Sequence, residues 1–226
     1  MYCEALKALQ TGGADYPPFV ALMANGTSGD VNNINFKNPR KGKPPYEQMA
    51  YVAEDLARKV HGALSTLQWK DFAPLDARRK ELGVQWRVVE PELLAWAKRT
   101  EAEAAPEAQN SLPVIYAGRV QRLAQASGHT KADAQVLRVG DVAIGSSPCE
   151  TFTETGLEFK QRSPFKHAFM VELANGYFGY LPTPRHFEWG GYETWPGTNV
   201  LERNASVKLM DALLEMSTAL APGAAK

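Results

Sequence analysis

A surplus of charge of either sign is missing from this sequence. Its 226 residues carry 25 Lys plus Arg against 25 Asp plus Glu. A nucleic-acid binder normally needs a basic excess to displace condensed counterions, so no nucleic-acid partner is expected. Cysteine is scarce: Cys3 and Cys149 stand far apart, which excludes a CxxC pair and a disulfide framework. No apolar run reaches the roughly 18 residues of a membrane span, so no transmembrane segment is expected. The start, Met1-Tyr2-Cys3-Glu4-Ala5, lacks a basic stretch followed by an apolar core and so shows no signal peptide. The glycines form neither a P-loop nor a GxSxG elbow. The histidines, His61, His129, His167 and His186, form no HxxxH or HxH pair. Internal repeats and low-complexity tracts are absent as well.

What is present is ordinary globular material, 44% hydrophobic and 22% charged. A chain of this size buries about 70% of its unfolded surface, enough for a core without staples, and residues 1–226 read as a single domain. A short apolar stripe, Ala5, Leu6 and Leu9, predicts a helix ended by Thr11-Gly12-Gly13. Pro18-Phe19-Val20-Ala21-Leu22-Met23-Ala24 has the length and composition of a strand buried on both faces. Residues 37–45 are a basic, proline-rich loop. Met49, Val52, Ala53, Leu56, Ala57, Val60 and Leu64 keep helical spacing over 46–67. A charged extended segment over 73–88 is followed by a helix from Pro91 to Ala105 and another from Val114 to Ala126. Residues 134–145 predict a hairpin turning at Gly140-Asp141. A helix over 151–162, a strand over 168–174, a turn at Asn175-Gly176, a final helix over 206–220 and a frayed tail at 223–226 complete the pattern. Alternating strands and helices, with polar loops after strands, give an α/β fold with a mixed β-sheet flanked by helices.

Three strand ends carry polar groups suited to chemistry. In Asn25–Asn35, Gly26 and Gly29 permit sharp turns, and Asp30, Asn32 and Asn33 offer a carboxylate and amides; a capped turn explains the same residues. In Ser147-Pro148-Cys149-Glu150-Thr151, Glu150 is placed to cap a helix or to ligate a metal. Cys149 reads as a small packed residue, because no base neighbours it. Tyr177, Tyr180 and Tyr192 are either core aromatics or phenols at a strand end that ligate a metal or stabilise an oxyanion. His186, between Tyr180 and Tyr192, is the histidine nearest these tyrosines in sequence.

Together the three segments resemble the neutral/alkaline non-lysosomal ceramidase family, in the C-terminal half of its catalytic domain. Residues 19–33, an apolar run followed by Gly29-Asp30-Val31-Asn32-Asn33, are similar to that family's strand followed by Gly-Asp-Val-Ser-Pro-Asn. Pro148-Cys149-Glu150-Thr151-Phe152-Thr153 is similar to Pro-Gly-Glu-Phe-Thr. Asn175-Gly176-Tyr177-Phe178-Gly179-Tyr180-Leu181-Pro182-Thr183 with Tyr192-Glu193 is similar to Asn-x-Tyr-x-x-Tyr-Ile-Thr-Thr followed by Tyr-Glu. The resemblance implies hydrolysis of an N-acyl amide by a zinc-bound water. It implies Glu150 and Tyr180 as zinc ligands, and Asp30, Asn32 and Tyr192 as catalytic candidates, with Tyr192 near the scissile bond. Zinc chemistry agrees with such a donor set, since the ion lowers the pKa of bound water to about 7 and polarises a carbonyl.

Two departures from the family pattern stand out. The family's serine after Gly-Asp-Val is Asn32 here, an amide that can donate to an oxyanion but cannot act as a hydroxyl nucleophile. The family's two zinc histidines precede the Gly-Asp-Val segment, and no histidine precedes Asn25 here. The chain therefore reads as an incomplete catalytic domain acting on a small-molecule or lipid-like substrate. Two alternatives remain: a non-catalytic module of the same fold, or a hydrolase of a sugar or peptide conjugate held by Trp189, Tyr192 and Trp195. The family is often exported, and Asn25-Gly26-Thr27 and Asn204-Ala205-Ser206 fit the glycosylation sequon. Oligomeric state is not written in any motif; an exposed sheet edge would favour self-association.

Overall fold

The structure is a computed structural model that describes residues 1–14 and 18–223. Of the tail read at 223–226, residues 224–226 lie outside the described residues. The chain divides into two compact units, residues 1–24 with 32–73, and residues 25–31 with 74–226.

In the first unit, α1 (Tyr2–Thr11) packs against α2 (Glu47–Leu64). Gly12 ends α1 in the left-handed region, at φ 61°, as the Gly12-Gly13 signal predicts. Leu6 and Ala57 are the buried side chains of the pair, and Gln10 Nε2 meets His61 Nδ1 at 2.7 Å. The apolar stripe of α2 is only partly covered: Met49, Val52 and Leu56 are exposed. Residues 18–24 differ from the expected buried strand. They form no ladder with any described residue, and Leu22 is 85% exposed. An apolar run becomes a strand only where another strand offers its amides and carbonyls.

The second unit is built on a four-stranded mixed sheet. Its order is β1 (Leu75–Gln85), β2 (His129–Val139), β3 (Val142–Ser146) and β5 (His167–Val171), with only the last pair parallel. The β2–β3 hairpin turns at Gly140-Asp141 as predicted. Two residues each of β4 (Glu150–Thr151) and β6 (Tyr180–Leu181) form a separate parallel pair. The helices are α3 (Pro91–Ala102), α4 (Leu112–Gln125), α5 (Thr153–Arg162), the single turn α6 (His186–Trp189) and α7 (Ala205–Leu220).

Alternation along β2 buries Ala132, Ala134 and Val136 on one sheet face. There they join Leu209, Leu213 and Met216 of α7 and Phe159 of α5 in the main core. The opposite face carries Leu75, Leu137, Val139 and Phe169, all exposed. Ala97 of α3 meets Ala117 and Val120 of α4 in a smaller cluster. No helix among the described residues is long and apolar enough to cross a membrane.

Candidate functional site

The site grows from the way β3 and β5 end. Beyond Ser146 the chain runs through the buried Ser147, Pro148 and Cys149 into β4. Beyond Val171 it turns back on the same segment. The amides of Leu173 and Ala174 donate to the carbonyls of Cys149 and Ser147, and Phe178 N–H donates to Pro148. Leu173 sits at φ 55° and Asn175 at φ 66°. Asparagine tolerates the left-handed region and leucine rarely does, so the turn at Leu173 is held by its hydrogen bonds rather than by preference.

This lacing sets the register of β4 with β6, in which Glu150 is paired with Tyr180 and Thr151 with Leu181. Two residues thirty apart in sequence thus become neighbours. Gly179, at φ 68°, allows the approach, because a Cβ there would lie 2.4 Å from the Thr198 carbonyl oxygen. The fully buried Asn199 locks β6 from the other side. Its Nδ2 donates to the Tyr180 carbonyl at 3.0 Å, and its Oδ1 accepts from Arg87 Nη1 at 3.1 Å. Arg87 also donates to the Thr194 carbonyl. Burial lowers the pKa of this guanidinium from its usual value.

Three phenols gather around the Glu150 carboxylate. Tyr177 donates to Glu150 Oε1 at 2.8 Å, and the hydroxyls of Tyr180 and Tyr192 lie 2.9 Å apart, their rings edge to face. Burial raises the pKa of Tyr180, and its hydrogen bonds to Tyr192 and Glu150 raise it further. The hydrogen bond to Glu150 is the main cause that raises Tyr177. All of these groups open into one cleft of about 660 Å³. Trp86, Leu123, Phe178 and Val200 give it apolar surface, and Arg119 and Arg122 bring guanidinium groups from α4.

The structure thus brings Glu150, Tyr180 and Tyr192 together. Asp30 is placed otherwise: it is not among the residues lining the cleft, and its Oδ1 accepts from Thr153 N and Thr153 Oγ1, both at 2.8 Å. That is a cap on the start of α5. Asn32 belongs to the first unit, where its exposed side chain accepts from the Ile34 amide at 3.1 Å in a local turn. His186 pairs through Nδ1 with Thr183 Oγ1 at 2.7 Å and stands edge-on to Phe152 and Trp189. Cys149 is buried, and burial pushes its thiol up to about 12, which agrees with a packed residue rather than a nucleophile.

Several organising residues escaped the sequence reading. Glu172 is 4% exposed and accepts from Asn25 Nδ2 at 2.7 Å, Ser28 Oγ at 2.6 Å and Thr151 N at 2.6 Å. It fastens the segment 25–31 beside β4, where Gly29 N–H donates to the Thr151 carbonyl. Its signal was a lone carboxylate inside the apolar stretch 168–174. Arg119 and Arg122 had only helical spacing to mark them.

As a zinc site the cleft is half furnished. Glu150 and Tyr180 are suitable donors, but zinc takes three or four protein ligands. Among the described residues no group of three or more His, Cys, Asp or Glu is placed to hold a metal.

Comparison with solved structures shows what the fold is similar to. A neutral ceramidase from Pseudomonas aeruginosa superposes with a TM-score of 0.59 and 16% identity, over 96% of this chain and 40% of that one. A ceramidase complexed with C2 gives a TM-score of 0.58 and 15% identity, over 96% and 41%. The fold resembles that of neutral ceramidase. The chain thus spans about two fifths of the length of these ceramidases. By sequence, no family model and no curated protein matches it.

Proposed function

We propose that this chain carries part of the site of a ceramidase-like amidohydrolase, with Glu150, Tyr180 and Tyr192 at its centre. The observation that carries this reading is the β4–β6 register, which sets Glu150 beside Tyr180 while Tyr177 and Tyr192 close on the same two groups. In the reaction, a water oxygen bonds to the acyl carbon, the carbon–nitrogen bond breaks, and the amine leaves with a proton. A phenol held protonated donates to the oxygen that becomes negative on the way. Tyr192, whose hydroxyl lies 2.9 Å from that of Tyr180, suits that role. Glu150 would hold a proton or a cation against the same oxygen.

Zinc belongs to this reading as a proposal. Glu150 and Tyr180 would be two of its ligands, and donors beyond those the described residues bring to the cleft would complete it. The favoured substrate is an N-acyl amide with an apolar acyl group. A second reading, a binding module without chemistry, draws on the exposed Tyr177, Trp189, Tyr192 and Trp195.

The test supplies excess zinc, dialyses the chain, and measures bound metal by elemental mass spectrometry alongside hydrolysis of a fluorogenic acyl amide. Glu150→Ala is expected to lower both by about tenfold or more, and Tyr180→Phe by less. Metal content and rate untouched by both substitutions would sink the proposal, and ligand binding without turnover would favour the module.

A further inference from the structure

Among the described residues, the arginines of the cleft have no ionic partner. Arg119 and Arg122 lie one turn apart on α4, and both line the cleft that holds Glu150 and the phenols. No described carboxylate forms an ion pair with either, although ion pairs are common elsewhere in this unit, such as Arg79 with Asp133 and Arg203 with Glu188. Arg119 is half-buried and held by neutral groups: Nη1 lies 3.4 Å from Thr198 Oγ1, and the guanidinium sits 5.0 Å from the Tyr116 ring centre. Its stem packs on Gly197, where a Cβ would come within 2.5 Å of the Arg119 Cβ. Thr198 Oγ1 in turn donates to the Tyr116 hydroxyl at 3.3 Å. The group is thus oriented without being neutralised. Arg122 is exposed at the cleft margin. The two arginines contribute two positive charges to the lining and Glu150 one negative, a surplus of one in a chain whose overall balance is zero.

A guanidinium presents planar, forked donors that match a carboxylate in two parallel hydrogen bonds. Beside this fork lies the apolar surface of Trp86, Leu123 and Phe178. We infer that the cleft takes an anionic amide, with an apolar acyl group on that surface and a carboxylate on the amine portion held by Arg119 and Arg122, in the manner of an N-acyl amino acid. The amide part of this assignment rests on the hydrolase reading above; the anion part does not. A neutral amide alcohol would leave both guanidinium groups unanswered.

The experiment is a binding measurement by calorimetry on the full chain, treated with chelator so that no metal competes for the carboxylate. Its probes are N-octanoylglycine and N-octanoylethanolamine, which differ in carboxylate against hydroxyl, and inorganic phosphate alone. N-octanoylglycine is expected to bind about tenfold tighter than the neutral amide, the order of one charge-assisted hydrogen bond. Arg122→Gln, at an exposed position, should weaken the anionic probe about fivefold or more and leave the neutral one unchanged. Arg119→Lys keeps the charge and the stem but loses the fork, and should weaken the same probe selectively. Equal affinity for the two amides overturns the inference, as does an equal loss for both in the variants. Tight binding of phosphate with no preference for the anionic amide also overturns it, since the arginines would then serve a free anion. Selective binding by the metal-free chain, with no hydrolysis of the same amide after zinc is restored, leaves the anion site standing and removes the hydrolase reading.

Discussion

Two apolar stretches of strand length meet different fates in this molecule. His167–Val171 becomes β5, bonded in parallel to β3, with Met170 buried in the main core. Residues 18–24 are equally apolar, yet bond to no described strand and leave Val20, Leu22 and Met23 exposed. Composition is not what separates them. β5 finds a row of amides and carbonyls on β3 and the apolar surface of α5 at its back. An apolar stretch alone has only its side chains to offer, and those do not satisfy its backbone.

Truncation should break the symmetry of the two stretches most sharply. Met170→Ala empties a fully packed position and is expected to cost about 2–5 kcal/mol, whereas Leu22→Ala should stay within about 0.5 kcal/mol. Urea denaturation of both variants measures the contrast. Equal losses would show that residues 18–24 are covered in solution as β5 is.

The same contrast explains what was legible beforehand. The α2 periodicity, the Gly140-Asp141 hairpin and the α7 stripe were read correctly because each is a local pattern answered by a local bond. Glu150, Tyr180 and Tyr192 were singled out through motif resemblance, and the convergence of their side chains depends on a two-residue ladder that spacing does not reveal. Asp30 and Asn32 looked alike as polar residues after a strand, but one caps α5 and the other closes its own turn. Glu172, Arg119 and Arg122 act through partners distant in sequence, where no pattern of neighbours points to them.

Glu172 marks where the unbonded stretch gives way to anchored chain, since Asn25 and Ser28 are tied to its carboxylate. Glu172→Gln would turn an acceptor into an NH₂ group facing the Thr151 amide or the Asn25 and Ser28 donors. A buried donor left against a donor costs about 1–3 kcal/mol. The expected result is that loss in urea denaturation, together with faster hydrogen exchange at Gly29, whose amide bonds to Thr151. Unchanged exchange at Gly29 would mean that the segment 25–31 is held by other bonds.

The smallest effect near neutral pH concerns the two cysteines, one in each unit. Cys3 is partly exposed and Cys149 buried. Burial moves the Cys149 thiol from its ordinary 9.0 up to about 12, so at pH 8 it stays protonated and should react with iodoacetamide far more slowly than Cys3. The sign for stability follows from the same shift. Below the unfolded pKa, about 8.5, folded and unfolded chains both keep the proton, and pH has no leverage through this group. Above it the unfolded thiol ionises while the folded one does not, so stability falls as pH rises from about 9 toward about 12. Urea midpoints measured at pH 7, 9 and 10.5 should therefore decline, and the decline should be shallower in Cys149→Ala. Equal alkylation of both thiols in the folded chain would mean that the turn from β3 into β4 opens readily, and with it the register that sets Glu150 beside Tyr180.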